Sequence, residues 1–324
     1  MVKVTGIDVA QDRLDVMVMD ERQQTQYCQV DNTEPGYEKL KHWLKKRVTA
    51  GSAVCLEATG HYGEGVAHAL YAVGYRVSVV NPARIRGYAD SQLRRNKTDK
   101  LDAKLIADFC RTQQPEAWTP PAPEIVHLQA LVRQLAAVEE LTQQAANRLR
   151  EAKYLPPLVV EQLHAQQALL LDQIKQLKRA IQDHIDQFPD LKRQRDLMQS
   201  IPGIGALTAA KLIAECRSLT EFEDVRQLVA FAGLNPAHHE SGSSIRKKTQ
   251  ISKTGKASIR AALYMPAIVA KRRNPILHAF AERLLAKGLC KMAVITAVMR
   301  KLLHLVFGIL KSGHPFDPNF QVAS

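Results

Sequence analysis

Three strand signals crowd the first 32 residues of this chain, with only short polar turns between them. "VKVTGIDVA" and "LDVMVMD" flank the turn Gln11-Asp12-Arg13, and "TQYCQVDN" follows. Strands joined by so few residues must pair as antiparallel neighbours, because a parallel partner needs a crossover of a dozen or more residues. The plain βαβ alternation of a dinucleotide-binding fold is thereby excluded.

After this meander the hydrophobic period changes. Tyr37, Leu40, Trp43 and Leu44 recur at helical spacing across 35–47, and "SAVCLEATG" is a buried strand. "GEGVAHALYAVG" is a helix ended by Gly74, and "YRVSVVN" is another strand. A helical stretch carrying "RRNKTDKLDAK" closes the unit. A three-strand meander followed by alternating helix and strand is the order of an α/β RNase H-like domain, expected over residues 1–115.

A Pro-rich segment, "TQQPEAWTPPAPEIV", reads as a linker and opens a middle region spanning 116–194. Two heptad runs follow. Leu128, Leu131, Leu135, Val138, Ala145, Leu149 and Ala152 form the first seam, interrupted by Thr142, and Pro156-Pro157 ends it. Leu163, Leu170, Ile174, Leu177, Ile181 and Phe188 form the second, with Gln167 and His184 as polar positions. This pattern makes a coiled-coil arm for self-association or two helices packing on their own domain. Residues 195–324 are mainly helical around a polar, basic loop, "HHESGSSIRKKTQISKTGKAS".

Lys and Arg number 45 against 32 Asp and Glu, a formal net charge of +13. Such a balance suits a polyanionic partner, nucleic acid before membrane. Cys28, Cys55, Cys110, Cys216 and Cys290 are scattered without CxxC or zinc spacing, as expected of reduced thiols in a cytoplasm. The N-terminal residues enter a strand without a signal-peptide or transit pattern, and no apolar run approaches the length of a membrane span. A cytoplasmic protein without a membrane partner is the expectation.

The chemistry concentrates in acids set where acids are out of place. Asp8 lies between Ile7 and Val9 in the first strand, and Glu57 ends the apolar run "AVCLE". Asp99 and Asp102 share one helix face beside Leu101, Leu105, Ile106 and Phe109, amid Arg94, Arg95, Lys97, Lys100 and Lys104. Acids in apolar strands are costly unless paired or bound to metal. Converging at one sheet edge, these four would offer hard oxygen ligands for Mg²⁺ or Mn²⁺. Two such ions ~3.5–4 Å apart would clamp a phosphodiester, and the adjacent Arg and Lys would hold its phosphates. Ordinary pairing of Asp99 and Asp102 with Lys100 and Lys104 is the alternative.

In the C-terminal half, Gly203 and Gly205 of "IPGIG" precede a small-residue helix, as in a helix-hairpin-helix element that approaches a phosphate, or in a plain tight turn. Ser241, Ser243 and Ser244 lie beside Arg246, Lys247 and Lys248; a serine there could attack phosphorus with the bases stabilising the charge, or the stretch could be a flexible loop. Lys253, Lys256 and Arg260 extend a basic strip suited to phosphates. His238-His239-Glu240 are too nearly adjacent to face one zinc ion.

"GIDVAQDRLDV", "CLEATG", "RNKTDKLDA", "IPGIG", "AFAGLNP" and "ESGSSIRKK", in this order across nearly the whole chain, resemble the DEDD transposases of bacterial insertion sequences, the bridge-RNA-guided recombinases to which pilin-gene invertases are related. The resemblance implies a RuvC-like N-terminal domain, a coiled-coil insertion and a C-terminal transposase domain. It implies that Asp8, Glu57, Asp99 and Asp102 are the metal-binding tetrad and Ser241 the nucleophile. It further implies a phosphoserine intermediate, a site completed between protomers of a dimer or tetramer, and an element-encoded guide RNA that pairs with donor and target double-stranded DNA. The enzyme alternative is a RuvC-like junction-resolving nuclease using the same acids with water. The non-enzyme alternative is a nucleic-acid-binding protein with a degenerate metal site.

Overall fold

The computed structural model describes residues 3–58, 60–92, 98–216, 219, 222–237, 240–241, 245–246 and 250–319; for residue 61 and the described part of 237–250 it gives the backbone alone. The chain divides into two compact units, Met1–Pro120 and Pro121–Ser324.

The first unit is built on β1 (Val4–Val9), β2 (Arg13–Met19), β3 (Thr25–Asp31), β4 (Ala53–Glu57) and β5 (Arg76–Val80), in the order β3-β2-β1-β4-β5. β1 pairs antiparallel with β2 and β2 with β3, as the short turns require. β1–β4 and β4–β5 are parallel, joined through α1 (Glu34–Lys45) and α2 (Glu64–Ala72). This mixed order is that of an RNase H-like domain.

Each face of the sheet has its own core. Ile7, Val9, Leu14, Val16, Leu56 and Val77 pack with Leu40, Leu44, Val66 and Leu70 of α1 and α2. Val4, Met17, Met19, Cys55 and Val80 pack on the opposite face with α3 (Pro82–Ser91) and α4 (Asp99–Gln113), through Ile85, Ala103, Leu105, Ile106 and Phe109. Gly6 is the reason α4 can lie directly on β1. A Cβ at that position would stand 2.2 Å from the Ala107 nitrogen and 2.5 Å from the Ala103 oxygen. The start of the Pro-rich segment remains with this unit: Trp118 N–H donates to the Val77 oxygen at 2.7 Å, and Ser78 donates to the Pro115 oxygen at 3.1 Å.

The second unit is helical. α5 (Pro123–Leu149) and α6 (Pro157–Gln187) run antiparallel, with His184 near the end of α6 hydrogen-bonded to the Glu124 oxygen at the start of α5, at 2.8 Å. Leu128, Leu135, Val138, Ala145, Leu163, Leu170 and Ile181 of the two heptad seams are buried. The roots of this hairpin, Ile125, Leu128, Val132, Leu135, Ile181 and Ile185, enter one core with α7 (Pro189–Gln199), α8 (Ala206–Cys216), α9 (Val225–Phe231), α10 (Ala257–Arg273), α11 (Pro275–Ala286) and α12 (Lys291–Ser312). At 22 residues α12 is long and apolar enough to cross a membrane, contrary to the expectation from the sequence. Val294, Val298, Leu302 and Val306 along one of its stripes are buried in the common core.

The Gly6 contact is testable by size. Gly6→Ala overpacks backbone against backbone and is expected to destabilise by about 1–3 kcal/mol. Gly87→Ala, within α3 with open space around it, is expected to be neutral or to stabilise by roughly 0.5–1 kcal/mol. Thermal unfolding of the two variants checks the contrast.

Candidate active site

The side-chain period of two along a strand decides which acids can meet. Asp8 shares its face with Gly6, Asp15 with Met17 and Met19, and Glu57 with Cys55, and all of these look toward α4. Asp8 and Asp15 are direct partners in the β1–β2 register. The Thr98 hydroxyl caps α4 by accepting from the Leu101 N–H at 3.3 Å, and Asp99 and Asp102 fill the first turn. Acids are favoured there by the helix dipole. Helical rise carries Asp99 about 6 Å beyond Ala103, and strand rise carries Asp8 about 7 Å beyond Gly6. The acids of both elements therefore lie just past the contact that Gly6 allows.

Their proximity is recorded in the ionisation of Asp8. Burial first, and then the charges of Asp102, Glu57, Asp99 and Asp15, push its carboxyl from 3.8 up to about 6. The four acids anticipated from the sequence thus share one electrostatic neighbourhood. Among the described residues, no group of three carboxylate, imidazole or thiol side chains already stands arranged to hold an ion. Like charges repel, and Asp99 is drawn to Arg13, whose Nη2 donates to Asp99 Oδ2 at 2.6 Å. Lys100 is not the partner of Asp99 in this ion pair; its Nζ lies 5.1 Å over the ring of Tyr27. The donor set is entirely carboxylate, which fits a hard divalent cation such as Mg²⁺ or Mn²⁺.

Sequence reasoning missed Asp15, Arg13, Tyr27 and Gln29. Asp15 is only 2% exposed and accepts from the Tyr27 hydroxyl and from Gln29 Nε2. It carries the same signal that marked Asp8, an acid between apolar neighbours in a strand (Leu14 and Val16). Leu101, expected on the apolar side of its helix, is exposed, whereas Leu105, Ile106 and Phe109 are buried.

In the second unit, Ser241 lies on an arm of short antiparallel pairs. Pro236–Ala237 pairs with Gln250–Ile251, and Glu240–Ser241 with Ile245–Arg246. The base of this arm is clamped. Lys256 Nζ donates to the Glu215 oxygen at 2.7 Å and to its carboxylate at 3.2 Å. Arg260 Nη1 donates to the oxygens of Ala232 and Gly255 at 2.9 and 3.1 Å. Two residues of the expected phosphate strip are therefore engaged inside the fold, while Lys253 is exposed. Gly203, with φ of +111°, backs onto Ala270, where a Cβ would approach to 2.7 Å, and Gly205 has open space. The first glycine of "IPGIG" thus serves helix packing. Arg94, Arg95, Lys97, Lys247 and Lys248 lie outside the described residues.

Residues 5–153 match a family model described as a transposase, of the DEDD type of the IS110 group, and residues 195–282 match the transposase IS116/IS110/IS902 family. The chain is 32% identical over 320 residues to the pilin gene-inverting protein of Moraxella bovis, covering 96% of this chain and 97% of that one. The chain belongs to the IS110 family of transposases. As a transposase it is a DNA recombination enzyme. It is also 26% identical over 230 residues to the transposase for insertion sequence element IS1328 of Yersinia enterocolitica, covering 62% of this transposase and 66% of that one. Among solved structures, T. thermophilus RuvC in complex with Holliday junction substrate aligns with 36% of the transposase and all of that chain, at 14% identity and a TM-score of 0.29. The RNase H-like assignment rests on the strand order.

The charged form of Asp8 costs the metal-free transposase stability. Because the folded-state pKa of Asp8 lies above its unfolded value, that cost is present above about 6 and is relieved as the pH falls toward 3.8. Asp8→Asn is therefore expected to stabilise the metal-free protein near pH 8 by roughly 1–2 kcal/mol, less than full linkage because Asp8 keeps some solvent contact. The advantage should close as the pH approaches about 4, as followed by unfolding in chelator.

Proposed function

We propose that this transposase is an RNA-guided DNA recombinase that cuts and rejoins donor and target duplexes through a phosphoserine at Ser241. Asp8, Glu57, Asp99 and Asp102 would hold Mg²⁺ or Mn²⁺. The observation that carries the reading is the shared electrostatic neighbourhood of those four acids, in which the Asp8 carboxyl is pushed up to about 6 by burial and by the other acids. A divalent cation, when bound, would offset this repulsion and neutralise charge on the scissile phosphate.

The bond changes belong to the serine. Its oxygen forms a bond to phosphorus as the bond from phosphorus to the 3′-oxygen breaks, and that oxygen leaves with a proton as a free 3′-hydroxyl. A 3′-hydroxyl from the exchanging strand then attacks the phosphoserine, and the serine oxygen leaves in turn. The energy of the phosphodiester is retained, so no external energy source is needed.

Arg94, Arg95, Lys97, Arg246, Lys247, Lys248 and Lys253 are proposed on nucleic-acid phosphates, with the Gly205 backbone as a further approach. A net charge of +13 supports a load of duplex DNA and element-encoded RNA, with work in the cytoplasm at the nucleoid. Self-association is supported by apolar side chains that remain exposed on the α5–α6 hairpin and its turn: Leu141, Tyr154, Leu158, Leu169 and Leu171. In a dimer or tetramer, Ser241 of one protomer would meet the acids of another.

Covalent trapping tests the mechanism. Protein, element RNA, Mg²⁺ and labelled donor and target DNA are expected to give a protein–DNA adduct that survives denaturation. Ser241→Ala should lose the adduct while RNA binding persists, and Asp102→Asn should reduce cleavage to background. Cleavage without an adduct, unaffected by Ser241→Ala, would identify a water-using nuclease instead.

A further inference from the structure

We infer that Asp15 and Arg13 form a brace that positions Asp99 for its cation, an inference that rests on the metal reading of the four acids proposed above. Of those four, Asp99 is the exposed one; Asp8, Glu57 and Asp102 are half-buried. An exposed carboxylate keeps rotamer freedom that must be lost when it takes up an ion. Arg13 removes part of that freedom in advance by holding Asp99 Oδ2 at 2.6 Å. A carboxylate has a second oxygen with which to meet a cation.

Arg13 is itself half-exposed, and a surface ion pair alone would be weak. Its guanidinium is steadied from behind. Arg13 Nε lies 3.9 Å from Asp15 Oδ2, and the other oxygen of Asp15 takes the Tyr27 hydroxyl and, at 3.0 Å, Gln29 Nε2. Both oxygens of Asp15 are thus directed to protein groups, and the residue is 2% exposed. That placement suits an anchor better than a fifth ligand. Charges alternate along the row, from acid to guanidinium to acid, so the buried carboxylate is compensated and the outer one is oriented.

A guanidinium that merely stood in for the metal would compete with it, and removing that group would tighten metal binding. A brace predicts the opposite sign. The test is Mn²⁺ affinity of the full chain without DNA, by titration followed with electron paramagnetic resonance, alongside the melting temperature. Arg13→Gln is expected to weaken Mn²⁺ binding by about tenfold or more with only a modest fall in the melting temperature, because Asp15 keeps its bonds from Tyr27 and Gln29. Asp15→Asn, which keeps its shape, should weaken binding in the same direction, and Arg13→Lys should restore part of the affinity because a single amine spans the two acids poorly. In an Asp99→Asn background, Arg13→Gln should have no further effect. Unchanged or tighter Mn²⁺ binding in Arg13→Gln would overturn the brace. Binding that survives Asp8→Asn undiminished would overturn the metal reading itself, a result separable from the first.

Discussion

The direct seating of α4 on β1 is the contact on which the first unit and its chemistry depend. It exists because Gly6 has no side chain to separate the strand backbone from Ala103 and Ala107 of the helix. A larger residue at position 6 would lift the helix, and the first turn of α4 would move away from Asp8. The same close approach lets Cys55, Met17 and Met19 share a dry core with Ile106 and Phe109. Packing and the placing of the acids are here one constraint, since the elements that form this buried core also carry the acids beyond it.

What that contact assembles is electrostatically unfavourable by itself. Asp8 is half-buried, and every carboxylate around it raises its pKa. A fold selected for stability alone would not gather Asp8, Asp15, Glu57, Asp99 and Asp102 at one end of a sheet. Local rules broken and not fully compensated within the chain mark places where function sets the sequence. Part of the compensation is internal, through Arg13. The rest is the kind a divalent cation supplies.

The second unit treats its bases unevenly. Lys256 and Arg260 close the foot of the arm that bears Ser241, satisfying backbone carbonyls and the buried Glu215. Lys253 on the same strip stays exposed. Charge in sequence therefore does not equate with charge offered to a phosphate. The heptad seams of α5 and α6 behave similarly: much of their apolar surface is covered by the opposing helix of the same hairpin, and the exposed leucines lie off that seam.

Much of the architecture was legible in one dimension. Short turns compel an antiparallel meander, the change of period marks the helices, and acids inside apolar strands flag Asp8 and Glu57, because strand burial makes an unexplained charge conspicuous. Asp15 carried the same mark in "LDV" and went unread, since its use depends on partners from another strand, Tyr27 and Gln29. The heptads could not reveal whether their seam faced a second chain or the neighbouring helix, because either burial satisfies the same pattern. Nor could the sequence separate Lys253 from Lys256 or Arg260: what distinguishes them is whether a carbonyl or carboxylate lies within reach. By itself the sequence determined the order of elements and the residue types available for chemistry, through local propensity and hydrophobic period. Only the tertiary structure decided which charges meet, because electrostatic and hydrogen-bonding partners depend on distances of a few ångströms between residues far apart in the chain.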